Sequence, residues 1–129
     1  MIGEDTLDIG GQVALVTGAG KGVGRGIALE LAKHNAGGIA VNDFDPGRAN
    51  EVVAEIRAMG VKAMPAVFDV TDRDAVAAVF EQVAAELGAP TILVNNAGNA
   101  GPDGFFTMGK PFWDEDPAEW NKYIATNFY

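Results

Sequence analysis

With 129 residues, 48% of them hydrophobic and 21% charged, the chain has the size and composition of one soluble globular domain. A net charge of −9 without any basic cluster excludes a nucleic-acid backbone binder, and the lack of cysteine excludes disulfides, thiolate metal sites and a thiol nucleophile. The acidic start, Met1–Thr6, lacks the basic region of a signal peptide, and no apolar run reaches membrane-spanning length. A cytoplasmic protein with neither nucleic-acid nor membrane partners is expected.

In chain order, residues 1–10 read as a polar lead-in, followed by a domain over 11–129. Gln12–Thr17 is a first strand, continuously apolar and therefore buried on both faces. A helix over Gly22–Asn35 carries the stripe Ile27 and Leu31, and Asn35-Ala36-Gly37-Gly38 ends it. Ile39–Asp43 is a second strand. Asp45 and Pro46 open the next helix as N-cap and first residue; Val52, Val53, Ile56 and Met59 form its apolar face, and Gly60 stops it. Lys62–Phe68 is a third strand, placed at a sheet edge by Pro65. Thr71-Asp72-Arg73-Asp74 has the look of a cap for a helix bearing Val76, Val79, Phe80, Val83 and Leu87, with Gly88 as its stop. Thr91–Asn95 is a fourth strand.

Gly98–Glu115 is a long Gly- and Pro-rich loop with exposed-looking aromatics, Phe105, Phe106, Phe112 and Trp113. Asp116-Pro117-Ala118-Glu119 starts a last helix that continues to Tyr129. Strand–helix alternation implies an α/β fold of the Rossmann type, a doubly wound parallel sheet, and right-handed crossovers put the strands in the order 3-2-1-4. The second half of such a sheet is missing, so the fourth strand should bear an exposed apolar edge and the chain reads as truncated.

The turn Thr17-Gly18-Ala19-Gly20-Lys21-Gly22-Val23-Gly24 lies between the first strand and the first helix. It does not fit G-x-G-x-x-G; it fits T-G-x-x-x-G-x-G. Glycine permits positive φ and close backbone approach, and a helix N-terminus offers N–H groups and a positive dipole end to a pyrophosphate. A simple linker is the plain alternative. Asp43 ends the second strand, where an acid can accept from both hydroxyls of an adenosine ribose and repel a 2′-phosphate. Phe44 offers a flat surface beside adenine. Lys21 could instead greet a 2′-phosphate, but Asp43 sits where that charge would clash, which favours NAD over NADP. Asp69 and Val70 close the third strand near the expected adenine position, unless Asp69 serves only the turn before the helix. Asn95-Asn96-Ala97-Gly98 ends the fourth strand at the crevice where open α/β sheets bind ligands.

Together, Thr17-Gly18, Gly22, Gly24, Asp43, Asp69-Val70, Asn95-Asn96-Ala97-Gly98 and Asn127 resemble the motif series of short-chain dehydrogenases/reductases, from about Gly11 to Tyr129. The resemblance implies that Gly18, Lys21, Gly22 and Val23 bound the pyrophosphate, with Gly24 a further cofactor-binding residue of the matched turn, that Asp43 binds the adenosine ribose, and that Asp69 and Val70 flank the adenine. It places Asn96, Ala97 and Gly98 at the nicotinamide-side ribose and gives Asn127 the family's helix asparagine, which organises a water in the proton relay. It further implies hydride transfer between the nicotinamide cofactor and a small alcohol or carbonyl substrate, and a homo-oligomeric parent protein.

The sequence departs from the family in one respect that matters. The family's chemistry needs a Ser and a Tyr-x-x-x-Lys pair, in which the lysine and the nicotinamide charge lower the tyrosine pKa so that it can serve as general acid/base. Here the fourth residue after Tyr123 is Asn127, and Tyr129 is the last residue. The chain resembles only the N-terminal, cofactor-binding half of the family, and the 129 residues alone are expected to be inactive. The long 99–116 loop leaves the substrate subclass open.

Other constellations fail. Gly104–Lys110 imitates a phosphate loop, but Pro111 replaces the Ser/Thr that would bind a metal. His34 is the only histidine, which argues against a zinc site or a Ser-His-Asp triad. Asp114-Glu115-Asp116 reads as helix-start charge rather than a metal site. Trp113 and Trp120 read as packing groups. Two functions remain: a cofactor-binding half of an oxidoreductase, or a non-catalytic nucleotide-binding module or structural remnant.

Overall fold

A computed structural model describes residues 5–98, 111–114 and 116–128. The chain divides into two compact units, Met1–Asn96 and Ala97–Tyr129. The first alternates β1 (Val13–Val16), α1 (Gly22–Lys33), β2 (Gly38–Asp43), α2 (Pro46–Ala58), β3 (Ala63–Val67), α3 (Arg73–Glu86) and β4 (Pro90–Val94). Its four strands are all parallel and ordered β3-β2-β1-β4, as the crossover argument requires.

Period-2 alternation divides the strand residues between two cores. Ala14, Val16, Ile39, Val41 and Ala63 pack with Ala28, Ala32, Val52, Val53 and Ile56 of α1 and α2. Val13, Leu15, Ala40, Met64 and Ala66 pack on the opposite face with Val79 and Val83 of α3. Both faces of β1 and β2 are thereby covered, which is why these strands read as unbroken apolar runs.

Asp45 caps α2, its Oδ1 accepting from the N–H groups of Gly47 (2.8 Å) and Arg48 (3.2 Å). Such a cap contributes about 1 kcal/mol. Burial of Val52, Val53 and Ile56 contributes on the order of 1.5–3 kcal/mol each. Packing therefore forms the helix, and the cap fixes where it starts. β3 is an edge strand, consistent with the missing N–H of Pro65. At the other edge, β4 alternates half-buried and exposed residues, and Leu93 is 49% exposed.

Several boundaries differ from the sequence reading for local reasons. α1 ends at Lys33, not Asn35, because Asn35 adopts the left-handed conformation (φ 64°). α3 is capped by Asp72, whose Oδ1 accepts from Asp74 N–H and Ala75 N–H; Thr71 is instead held by Asp69. The lead-in is strapped to the end of α1. Ile9 N–H donates to His34 O, Gly11 N–H to Asn35 O, and His34 Nδ1 lies 2.6 Å from Asp5 Oδ2.

In the second unit, a 3₁₀ turn spans Phe112–Asp114 and α4 spans Pro117–Phe128, with Asp116 Oδ1 accepting from Ala118 N–H. Trp113 and Trp120 are 72% and 40% exposed. Phe105, Phe106, Glu115, the Gly104–Lys110 imitation loop and Tyr129 lie outside the described residues, as do the side chains of Phe112 and Glu119. Among the described residues, no helix is long and apolar enough to cross a membrane, and no group of three acidic or histidine side chains is arranged for a metal.

Candidate functional site

The glycine turn connects β1 to α1 at the carboxyl end of the sheet. Thr17 fastens it to β4: its N–H and its hydroxyl donate to Val94 O, and Oγ1 accepts from Asn96 N–H at 3.0 Å. Asn96 returns the tie, its Nδ2 donating to Thr17 O (3.1 Å) and Gly18 O (3.3 Å). Asn96 thus joins the turn to the end of β4, and Ala97 and Gly98 follow it in the chain.

β2 holds the turn from the other side. Gly18 N–H donates to Asn42 Oδ1 (3.1 Å), Ala19 N–H to Asn42 O (2.7 Å) and Gly20 N–H to Asp43 Oδ2 (3.2 Å). Three successive N–H groups are committed to the last two residues of β2. They shape the turn and leave the N–H groups of the helix start to be accounted for separately.

Those belong to the first turn of α1. Its N-cap, Lys21, is extended and makes no side-chain cap, unlike Asp45 and Asp72 on α2 and α3. Arg25 N–H bonds Lys21 O, which leaves Gly22, Val23 and Gly24 N–H without intrahelical acceptors. Gly22 has φ 58°, and an added Cβ would meet nothing within 4 Å, so space lies open above it. At Gly24 an added Cβ would run into Gly18 O and lie 2.5 Å from Asn96 Nδ2. Gly24 therefore serves helix-to-turn packing, and Gly22 serves backbone direction and open space. An uncapped helix start beside open space suits an anion.

Asp43 is 5% exposed; its Oδ1 accepts from Asp45 N–H (3.0 Å) and its Oδ2 from Gly20 N–H. Phe44 is 74% exposed, with the Arg48 guanidinium 5.9 Å from its ring centroid. Asp69 is exposed at the end of β3, with Oδ1 accepting from both the N–H and the hydroxyl of Thr71 at 2.8 Å; Val70 packs partly against the α3 side of the core. The structure thus gives Asp69 the turn contact weighed as its plain alternative. Arg25 and Glu55 pair across α1 and α2, with Arg25 Nε donating to Glu55 Oε1 at 2.9 Å. That hydrogen bond holds the Glu55 carboxyl below its usual range and raises Arg25.

Gly18, Lys21, Gly22, Val23, Gly24, Asp43, Phe44 and Asn96 all belong to the turn or to the strand ends that hold it. Asn127 belongs to α4 of the second unit. The sequence reading missed Asn42 and Gly20. Asn42 is 2% exposed, and its Nδ2 also donates to Ala66 O (2.9 Å) and Phe68 O (3.1 Å). A lone amide closing an apolar strand is the signal that could have found it, because a buried polar group requires partners.

A doubly wound parallel sheet whose first crossover begins in a glycine turn defines an α/β protein of the Rossmann type. A model of the short chain dehydrogenase family matches residues 12–129, and the chain belongs to that family. It is 47% identical over 126 residues to the "Probable oxidoreductase EphD" of Mycobacterium tuberculosis, covering 98% of this chain and 20% of that protein. It is 38% identical over 105 residues to the 7alpha-hydroxysteroid dehydrogenase of Escherichia coli, covering 81% and 41%. A solved 7 alpha-hydroxysteroid dehydrogenase, complexed with NADH and 7-oxo glycochenodeoxycholic acid, matches with a TM-score of 0.83 and 35% identity over 99% of this chain and 47% of that one. A metagenomic short-chain oxidoreductase in complex with NADP matches with a TM-score of 0.75 and 36% identity over 94% and 51%. The chain therefore spans about half or less of the length of these relatives.

Proposed function

We propose that this segment is the cofactor-binding half of an NAD-dependent oxidoreductase acting on a small alcohol or carbonyl compound. The observation that carries the reading is the placement of Asp43 against the glycine turn, beside α1, which starts without the side-chain cap that α2 and α3 have. The N–H groups of Gly22, Val23 and Gly24 would hold the pyrophosphate, with Gly18 shaping the turn and Lys21 adding positive charge. Asp43 would accept from the adenosine ribose hydroxyls, and Phe44, Asp69 and Val70 would border the adenine. Asn96, Ala97 and Gly98 would border the second ribose, and Asn127 would position a water for proton relay. The bound dinucleotide would supply hydride-transfer chemistry; the Ser and Tyr-x-x-x-Lys groups that handle the proton at the carbonyl oxygen are not among these 129 residues.

Relatives that carry NADH and NADP support a nicotinamide cofactor, and Asp43 argues for NAD. A carboxylate repels a 2′-phosphate and forgoes the hydrogen bond from the 2′-hydroxyl, about 1.5–3 kcal/mol to a charged group. NADH should therefore bind the full natural chain more tightly than NADPH, and Asp43→Ala should narrow that preference by roughly 10- to 100-fold. Calorimetric titration of both cofactors measures it. Equal or tighter NADPH binding by the unaltered protein would remove Asp43 from this role. NADH binding without turnover on any ketone, aldehyde or alcohol would favour a non-catalytic nucleotide module.

A further inference from the structure

Gly20 is buried in the turn, and its φ lies outside the left-handed region that Gly18 and Gly22 adopt. Its backbone does not need glycine. Space does: a Cβ at position 20 would lie 2.5 Å from Asp43 Oδ2, 2.8 Å from Asp43 Cγ and 2.6 Å from Arg48 Cβ. This separates Gly20 from Gly22, where a Cβ meets open space, and from Gly24, where it meets the turn and Asn96.

We infer that Gly20 is a positioning residue for cofactor preference: the missing side chain lets the Asp43 carboxylate lie on the turn, oriented for ribose hydroxyls. The inference rests on the reading of Asp43 above. Gly20 N–H and Asp45 N–H each hold one carboxylate oxygen, at 3.2 and 3.0 Å. Two backbone donors from different loops select one rotamer and leave each oxygen a further lone pair for a hydroxyl donor. Arg48 Cβ cannot retreat, because it is fixed to the first turn of α2, which Asp45 caps. A side chain at position 20 must therefore displace the carboxylate, by about 1 Å before ordinary van der Waals contact is restored. Displacement breaks the Gly20 bond and misaligns the acceptor.

The test compares NADH and NADPH affinities in the full natural chain for the unaltered protein, Gly20→Ala, Asp43→Ala and the double variant. Gly20→Ala should weaken NADH by about tenfold, the scale of one charge-assisted hydrogen bond, and NADPH by clearly less. In the Asp43→Ala background it should no longer shift the ratio, since it acts through that carboxylate. Gly26→Ala is the control, because a Cβ there meets nothing within 4 Å, and it should leave both affinities unchanged. If Gly20→Ala does not fold, Gly20→Ala with Arg48→Gly removes one obstructing atom, keeps the clash with Asp43, and should show the same narrowing. Equal losses for both cofactors, or a ratio shift that persists without Asp43, would overturn the inference and reduce Gly20 to a shaper of the turn. Failure of the unaltered protein to bind either cofactor would overturn the reading of the whole site instead.

Discussion

Asn42→Asp preserves the shape of a side chain that is 2% exposed while replacing two hydrogen-bond donors with an acceptor. The existing bonds fix the amide's orientation: Oδ1 accepts from Gly18 N–H, and Nδ2 donates to Ala66 O at 2.9 Å and Phe68 O at 3.1 Å. In the variant, the Gly18 bond survives, but a carboxylate oxygen would face two carbonyl oxygens in a buried place. The cheaper response is to protonate the introduced carboxyl, which recovers one of the two donors. Holding an aspartic acid neutral at pH 7, against an unperturbed value of about 3.9, costs roughly 4 kcal/mol. The second lost bond adds about 1 kcal/mol. The expected destabilisation is therefore about 5 kcal/mol at pH 7, a large share of the 5–15 kcal/mol typical of a domain. Because the folded state raises this group's pKa, the stability supplied by its proton is complete below the unfolded value and is lost as pH rises through the folded one. Below about pH 4 the deficit should shrink to about 1 kcal/mol. Urea unfolding of both proteins at pH 4 and pH 7 measures it. A deficit that is absent, or equal at both pH values, would refute the assigned direction of these hydrogen bonds.

The Arg25–Glu55 pair predicts part of the acid limb of stability. Glu55 is held low by the Arg25 hydrogen bond, so its contribution is present above its ordinary value of 4.5 and is lost as pH falls through its depressed folded value. Glu55→Gln should flatten that part of the profile, and an unchanged profile would show the pair to be inert. Asp5 is lowered first by its hydrogen bond to His34 and then by Leu7 N–H, with the same sign. Asp5→Asn should loosen the lead-in, read as faster amide exchange at Ile9 and Gly11; unchanged exchange would show that the strap does not need this carboxylate.

The parts of the fold legible in the sequence are those decided by near neighbours in the chain. Val13–Val16 is apolar throughout because both faces are covered, Asp45-Pro46 starts a helix by local geometry, and Pro65 marks an edge. Parallel order then followed from crossover handedness. Asn35 could have ended α1 or continued it; its left-handed backbone settled the matter through φ, which a residue name does not reveal. Asp43 could be singled out by its place at a strand end, whereas Asn42 beside it could not. The partners of Asn42 lie 24 and 26 residues away, on the turn, on β3 and at Phe68 just after it, and they meet only once the strands are aligned. Gly20 was hidden among glycines that serve three different purposes, and only the nearby Asp43 and Arg48 atoms separate them.

In the proposed function, the start of α1 holds a dinucleotide pyrophosphate in the open space above Gly22. Titration of NADH into the full natural chain, unaltered and as Gly22→Val, tests it most directly. Valine at φ 58° is strained wherever it sits, so Gly60→Val, at φ 83° with nothing within 4 Å of an added Cβ, is the matched control away from the turn. Saturable binding is expected of the unaltered protein and of Gly60→Val, and none of a folded Gly22→Val. Binding of NADH by Gly22→Val with undiminished affinity would contradict that reading.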